Sequence, residues 1–198
     1  LSLLLSLPAS IALIIGSEEI VSALFGYGSF TENDIEQTSL ALRYFGYGIP
    51  AFAILKVFAN FFFARDNTMI PFKVSLIVVI VNVAVSVLFF KQIGFIIIPI
   101  ATTLSAWIGI FCYLYLLLKI GYLKIDHEFL INSVKIVFST TIMSYVFHNS
   151  LNYFAKNLSY SSDYKILYLL FIVIFVALLY FLICYFLKVL NVKSFKTN

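Results

Sequence analysis

The sequence predicts an all-α fold, a polytopic transmembrane helix bundle with about six membrane-spanning helices. Three observations carry that prediction. Hydrophobic residues make up 63% of the 198 positions and charged residues only 11%, against roughly a quarter charged in soluble domains. A soluble domain of this size has no way to hide so much apolar surface. The apolar residues also fall in continuous runs of about twenty, the length that crosses a hydrocarbon core as a helix. Barrel strands would instead alternate polar and apolar positions over roughly ten residues, and no run does so. In lipid every backbone N–H and C=O needs an internal partner, which a helix supplies from within one segment.

The first run, Leu1 to Gly16, ends at Ser17-Glu18-Glu19. It starts without an initiator Met, no basic region precedes it, and no cleavage site follows at signal-peptide spacing, so the reading frame is expected to extend upstream. Ile20 to Phe25 is too short to span and is expected to lie as a helix at the interface. Gly26-Tyr27-Gly28 breaks that segment, and Thr31-Glu32-Asn33-Asp34 offers N-cap chemistry for the next helix. The second run reaches from Gln37 to Phe63, with Arg43 near its start and Lys56 inside. Gly46, Gly48 and Pro50 predict a kink in its first half. Arg65-Asp66-Asn67-Thr68 reads as a polar turn, with Pro71 placed to open the third run.

Run three, Phe72 to Phe90, closes at Lys91-Gln92. Run four, Gly94 to Leu118, follows so closely that the two form an antiparallel pair. Lys119 to Glu128 is a polar connector. Run five, Phe129 to Tyr153, is the least apolar and contains Lys135, Ser139, Thr140, Thr141, Ser144 and His148. A Ser/Tyr-rich loop, Asn157 to Asp163, leads to run six, Ile166 to Leu187, which is followed by Lys188, Lys193 and Lys196. Cys112 and Cys184 sit in apolar runs without metal-ligand or disulfide spacing and read as small buried hydrophobes.

Alternating the connectors gives an orientation. Arg65, Lys73, Lys119, Lys124, Lys135, Lys188, Lys193 and Lys196 fall on one side; Arg43, Lys91, Lys156 and Lys165 fall on the other. The acidic residues Glu18, Glu19, Glu32, Asp34 and Glu36 share the poorer side. A Lys/Arg excess marks the cytoplasmic face, so both termini are expected in the cytoplasm. The net charge of +4 follows from the same bias. With no basic cluster or basic helix face, nucleic-acid binding is excluded as a reading.

No catalytic constellation is visible. His127 and His148 are isolated, no Ser-His-acid arrangement occurs, and no Gly-rich loop opens a helix after a strand, so the chain is not expected to be an enzyme. Polar residues at membrane depth become the informative ones. Lys56 is the sharpest, because a lysine at the centre of a transmembrane helix costs on the order of 2.5–3.5 kcal/mol. It either lines a cavity and meets an anionic group, or snorkels toward the interface, or belongs to a structural ion pair. Arg65 lies roughly 13 Å further along the helix, and a lysine stem covers only part of that distance. On run three, Ser75, Asn82 and Ser86 share one face. On run four, Thr102, Ser105 and Gly109 repeat at helical spacing, and Pro99 removes the helical partner of the Phe95 carbonyl. Helix packing through small and hydroxyl side chains is the plainer account. The sharper one is a monovalent-cation site built from Asn82, hydroxyls and a freed carbonyl, without a carboxylate of its own. Ser144, His148 and Asn152 form a second stripe, read as a satisfied polar interface ahead of a proton relay.

Two blocks carry a family resemblance. Leu7-Pro8-Ala9, followed by Glu18-Glu19-Ile20-Val21 and Leu24-Phe25-Gly26-Tyr27-Gly28-Ser29-Phe30-Thr31, resembles the "LPA…EPI…LFGRGAFT" stretch of the bacterial lipid II flippases (MurJ/MviN type). Ala41-Leu42, Tyr44, Gly48-Ile49-Pro50-Ala51, Lys56-Val57 and Phe62-Phe63-Ala64-Arg65-Asp66-Asn67-Thr68, then Pro71, resembles that family's "AL..Y..GLPA….KV…FYARGDT.TP". The match runs from Leu7 to Trp107; from Lys119 onward only helix lengths and loop charge support it. Glu19 stands where the family usually has Pro, and Asp66-Asn67 where it usually has Gly-Asp.

The resemblance implies a fourteen-helix, two-lobed transporter of the multidrug/oligosaccharidyl-lipid/polysaccharide exporter superfamily. Such a protein moves lipid II, the undecaprenyl-pyrophosphate-linked disaccharide-pentapeptide, across the bacterial inner membrane by alternating access. Residues 1–118 would be the last four helices of the second lobe, with the interfacial helix 20–25. Residues 119–198 would be a cytoplasmic connector and a terminal transmembrane pair. Lys56, Asn60 and Arg65 become the substrate-binding candidates. Asn82, Ser86 and Thr102 become the candidates for coupling to sodium, with protons as the other coupling ion and no organic cofactor expected. Membrane lipids and cell-wall synthesis proteins are the further partners implied. A polysaccharide-unit flippase or multidrug antiporter of the same superfamily, and a non-transporting scaffold of cell-wall assembly, are the alternative readings.

Overall fold

The computed structural model describes residues 2–122, 126–160, 162 and 164–189, and every regular element among them is helical. Lys124, Asp163, Lys193 and Lys196 lie outside the described residues. In chain order the elements are α1 (Ser2–Ile15), α2 (Ser17–Phe25), α3 (Glu32–Phe63), α4 (Met69–Ile93), a 3-10 turn (Gly94–Ile96), α5 (Ile97–Ile120), α6 (His127–Tyr153), the short α7 (Ala155–Leu158) and α8 (Lys165–Phe186). Helices α3, α4, α5, α6 and α8 hold 22 to 32 residues. Each therefore reaches roughly 33 Å or more, past the ~30 Å hydrocarbon core. The apolar stretch Met69–Ile120 is two such spans, folded back at Gly94, whose φ of 72° no side chain-bearing residue takes cheaply.

The first run is broken. The 14 residues of α1 reach about 21 Å, and the chain then bends by 77° into α2. That bend exists with Glu19 where the family usually has Pro. It falls at Gly16, and α2 starts at Ser17 rather than at the expected Ile20. Glu18 and Glu19 thus sit in the first turn of α2, where carboxylates suit the positive end of the helix. At the start of α3 the predicted cap is present: Thr31 Oγ1 accepts from the Asp34 N–H at 3.3 Å, and the Asp34 carboxylate accepts from the Thr31 N–H at 2.9 Å. This is a reciprocal capping box.

The chain clusters into two compact units, one of Leu1–Ser17 with Glu36–Lys124, the other of Glu18–Ile35 with Ile125–Asn198. In the first unit, Tyr44 meets Thr103, Tyr47 meets Trp107, Leu55 meets Gly109, and Phe62 meets Tyr113, so α3 and α5 run parallel. Val78 lies against Gly109 and Asn82 against Thr102, so α4 returns antiparallel to α5 as expected. Phe62, Val74, Tyr113 and Leu117 form a buried cluster where the three helices meet.

The packing of this unit centres on Pro50. Proline has no N–H, so the Gly46 carbonyl one turn earlier loses its helical donor. Ser10 of α1 replaces it, its Oγ donating to the Gly46 carbonyl at 2.8 Å. Two carbonyls in the same turn take donors from α5: Thr103 Oγ1 to Tyr44 at 2.8 Å, and Trp107 Nε1 to Tyr47 at 3.2 Å. Helix α3 continues through Pro50 as one element. Such bonds require close backbones. A Cβ on Gly46 would lie 2.9 Å from Ile14 Cγ1, and one on Gly48 would lie 2.8 Å from Thr103 Oγ1.

Helix α3 ends in a Schellman turn, with the Asn67 N–H on the Phe62 carbonyl at 3.1 Å and the Asp66 N–H on the Phe63 carbonyl at 3.0 Å. Asp66 takes the left-handed backbone at φ 56°, the conformation that the family's usual glycine adopts freely. Asn67 then starts α4 by accepting the Ile70 N–H at 3.1 Å. In the second unit α6 and α8 pack antiparallel, Phe154 meeting Tyr168 and Thr140 meeting Tyr180. The polar residues of α6 satisfy themselves: Ser139, Thr140 and Thr141 donate to the carbonyls of Lys135, Ile136 and Val137 at 2.8–2.9 Å. That back-bonding lets the least apolar run sit as a full-length helix.

Two serines one turn apart on α1 should behave oppositely. Ser10→Ala leaves the Gly46 carbonyl buried without a donor and should cost about 1–3 kcal/mol. Ser6 is 6% exposed and its hydroxyl has no hydrogen-bond partner among the described residues, so Ser6→Ala should be neutral or stabilising. Thermal unfolding of the detergent-solubilised protein reads both; equal losses would remove Pro50 as the organising residue.

Candidate functional site

Helix α3 divides its circumference. Ala51 and Phe62 are buried on one side, with Leu55 and Phe58 packed beside them. Phe52, Lys56 and Asn60 follow at four-residue steps on another face and are exposed. Among the described residues Lys56 has no hydrogen bond or ion pair. It lies roughly 10 Å before the end of the helix at Phe63.

Arg65 is placed differently from the other two substrate-binding candidates. It follows the end of α3, inside the Schellman turn, and folds back. Its Nη1 donates to the Phe61 carbonyl at 3.2 Å, its guanidinium covers the Phe61 ring at 3.6 Å, and the Tyr122 ring lies at 5.3 Å. Cation–π contacts of this kind hold the end of α3 against the end of α5. The fold therefore brings Lys56 and Asn60 onto one face and sets Arg65 apart as an anchor.

The candidate cation residues do come together. Ser86 Oγ donates to Asn82 Oδ1 at 3.4 Å, Asn82 Nδ2 donates to Thr102 Oγ1 at 3.0 Å, and Thr102 Oγ1 donates to the Ile98 carbonyl at 2.8 Å. Each oxygen in this chain already has a hydrogen-bonding partner, the arrangement of a polar clamp between antiparallel helices. Contrary to expectation, no carbonyl is freed inside a helix at Phe95. Pro99 is the third residue of α5, so Phe95 precedes that helix in the 3-10 turn, and the missing N–H falls in a first turn whose donors have no helical partner in any case. No group of three or more His, Cys, Asp or Glu side chains suited to a metal occurs among the described residues. In the second stripe, Asn152 Nδ2 lies 3.1 Å from His148 Nε2, so those two satisfy one another.

Sequence reasoning missed one residue. Lys165, read there only as a basic residue of a connector, is 1% exposed. Its Nζ donates to the Gly26 carbonyl at 2.7 Å and to the Tyr160 carbonyl at 3.0 Å. The only local signal was the aromatic and glycine content of the two loops it joins, Gly26-Tyr27-Gly28 and Tyr160.

Thr102→Val tests the clamp. Losing the hydroxyl should lower unfolding stability by about 0.5–1.5 kcal/mol, equally in sodium and potassium buffers. A stabilisation specific to sodium that disappears in Thr102→Val would assign the cluster to a cation instead.

The family model described as "Lipid II flippase MurJ" matches residues 1–169. A probable lipid II flippase MurJ of Rickettsia prowazekii (strain Madrid E) is 31% identical over 146 residues, covering 74% of this chain and 29% of the relative. One of Rhizobium meliloti (strain 1021) is 30% identical over 158 residues, covering 80% of this chain and 30% of the relative. One of Thermotoga maritima is 34% identical over 118 residues, covering 60% and 25%. The chain thus spans less than a third of the length of these relatives. A solved structure described as lipid II flippase MurJ in an inward closed conformation superposes with a TM-score of 0.74 at 24% identity, covering 94% of this chain and 37% of that one, which establishes a shared fold. With the family model matching most of its length, the chain belongs to the lipid II flippase MurJ family.

Proposed function

We propose that the chain is the C-terminal part of a transporter that flips lipid II across the bacterial inner membrane by alternating access, with Lys56 and Asn60 facing the translocation path. The observation that carries this reading is the unpartnered polar stripe on α3. A lysine at that depth costs on the order of 2.5–3.5 kcal/mol against lipid, and among the described residues no side chain offsets it. A water-filled cavity completed by the remainder of the transporter does. There the ammonium suits a pyrophosphate or a peptide carboxylate, and the Asn60 amide suits the polar head group beside it. In this reading residues 1–118 are the last four helices of the second lobe and 119–198 the connector and terminal pair. The Asn82–Thr102 cluster acts as a helix clamp.

The orientation belongs to the same proposal. The Lys/Arg-rich connectors support cytoplasmic termini. Cysteine introduced at Ser29 should then react with an impermeant thiol reagent in intact cells, while one at Asn67 should not. The reverse pattern overturns the topology.

Substitution of Lys56 tests the cavity. Lys56→Ala in the whole transporter should abolish support of growth at near-normal membrane abundance. Lys56→Arg should retain part of the function, since the charge survives while head-group shape and hydration change. Lys56→Met keeps the stem and removes the charge. Normal growth with Lys56→Met at native expression would show a snorkelling residue and take Lys56 out of the path.

A further inference from the structure

From Lys165 and its surroundings we infer a fastening device: this lysine pins the segment from α2 to the start of α3 onto the terminal helices. The inference stands on geometry alone and does not rest on the flippase reading. Residues 18–35 lie in sequence between two stretches of the first unit, yet they cluster with residues 125–198. Three contacts grip the loop that follows α2. Lys165 Nζ donates to the Gly26 carbonyl at 2.7 Å, its ammonium lies 4.3 Å from the Tyr27 ring centre, and the Tyr160 hydroxyl donates to the Phe30 carbonyl at 2.8 Å. The partners are some 130 residues apart in the chain, so none of this arises from local structure.

The chemistry of the pocket shows why a lysine fits it. An ammonium has three N–H donors. Two reach the carbonyls of Gly26 and Tyr160, the second at 3.0 Å. The positive charge sits against the faces of Tyr27 and Tyr160, at 4.3 and 5.0 Å, which compensates part of its lost hydration. A buried charge without such partners would be expensive, and a thioether in its place would leave both carbonyls without a donor. Gly26 is fitted to the same contact. A Cβ there would stand 3.0 Å from Lys165 Nζ and 2.6 Å from the Ser22 carbonyl. The consequence is mechanical: α2 and its loop are held as one body with the terminal helices, and the chain enters and leaves that stretch at Ser17–Glu18 and Ile35–Glu36.

Dipolar EPR on the membrane-reconstituted whole protein tests the pin. Spin labels go on cysteines at Ser29 and Lys156, both exposed and both in the second unit, with Cys112 and Cys184 replaced by alanine. With Lys165 present, one narrow distance distribution is expected. Lys165→Met, which keeps the stem and removes the donors, should broaden it at least twofold. An unchanged distribution in that variant overturns the inference. Should Lys165→Met fail to accumulate in the membrane, the double variant Tyr27→Leu with Tyr160→Phe decides. It leaves the ammonium in place but removes the Tyr27 ring face and the Phe30 hydrogen bond. Broadening in this variant supports the pin, and a distribution as narrow as the parent's overturns it.

Discussion

A carbonyl without a donor inside a membrane-embedded bundle has no water to turn to, and Pro50 creates one at Gly46. The first unit is organised around that constraint. Ser10 supplies the missing donor from α1, and in the same turn Thr103 and Trp107 of α5 donate to the carbonyls of Tyr44 and Tyr47. Helices in lipid have no hydrophobic drive toward one another, so close packing and hydrogen bonds must hold them. Here one proline frees an acceptor for α1, two carbonyls of the same turn bond α5, and Gly46 and Gly48 provide the closeness. The family block Gly48-Ile49-Pro50-Ala51 is accounted for by packing before any transport chemistry is invoked.

The elements themselves were legible because the bilayer sets their length and forbids unpaired backbone. The antiparallel pairing of α4 with α5 followed from a connection too short for anything else. The capping box at Thr31 and Asp34 followed from local chemistry. Apart from the Asn82–Thr102 contact across the short hairpin, what is carried by partners distant in sequence escaped. A kink was expected near Pro50, but the donors to its carbonyls sit about 40 residues before and 60 after. Arg65 shared a motif with Lys56, and only the Schellman turn showed it folding back onto Phe61. The Phe95 carbonyl was misjudged because Pro99 was assigned to a helix interior when it stands in the first turn. The start of α2 shifted to Ser17 because Glu18 and Glu19 are better placed in a helical first turn than before one.

The division of α3 into a locked face and an open one bears on function. A side chain that must meet a substrate works best from an element whose own position is fixed by packing. Carbonyl bonds hold α3 before Pro50, and the Phe62, Val74, Tyr113 and Leu117 cluster holds it beyond. Arg65 then ties its end to α5 through Phe61 and Tyr122. Lys56 and Asn60 lie between these fixed points on the face that none of them uses. Their placement is therefore fixed even though their side chains make no hydrogen bond among the described residues.

Two lysines show how the same side chain can be read in opposite ways. Lys165 is buried, with two of its three donors on carbonyls and its charge against two aromatic rings. Those partners all belong to the fold itself. Lys56 has none of these partners among the described residues, although it sits inside a run long enough to cross the membrane. Snorkelling offers only partial relief, since the helix continues for about two further turns toward Phe63. A charge left uncompensated among the described residues calls for water in a cavity, another part of the protein or an anionic substrate. The proposed substrate-bearing cavity also gives a reason for Asn60 to stand one turn away on the same open face.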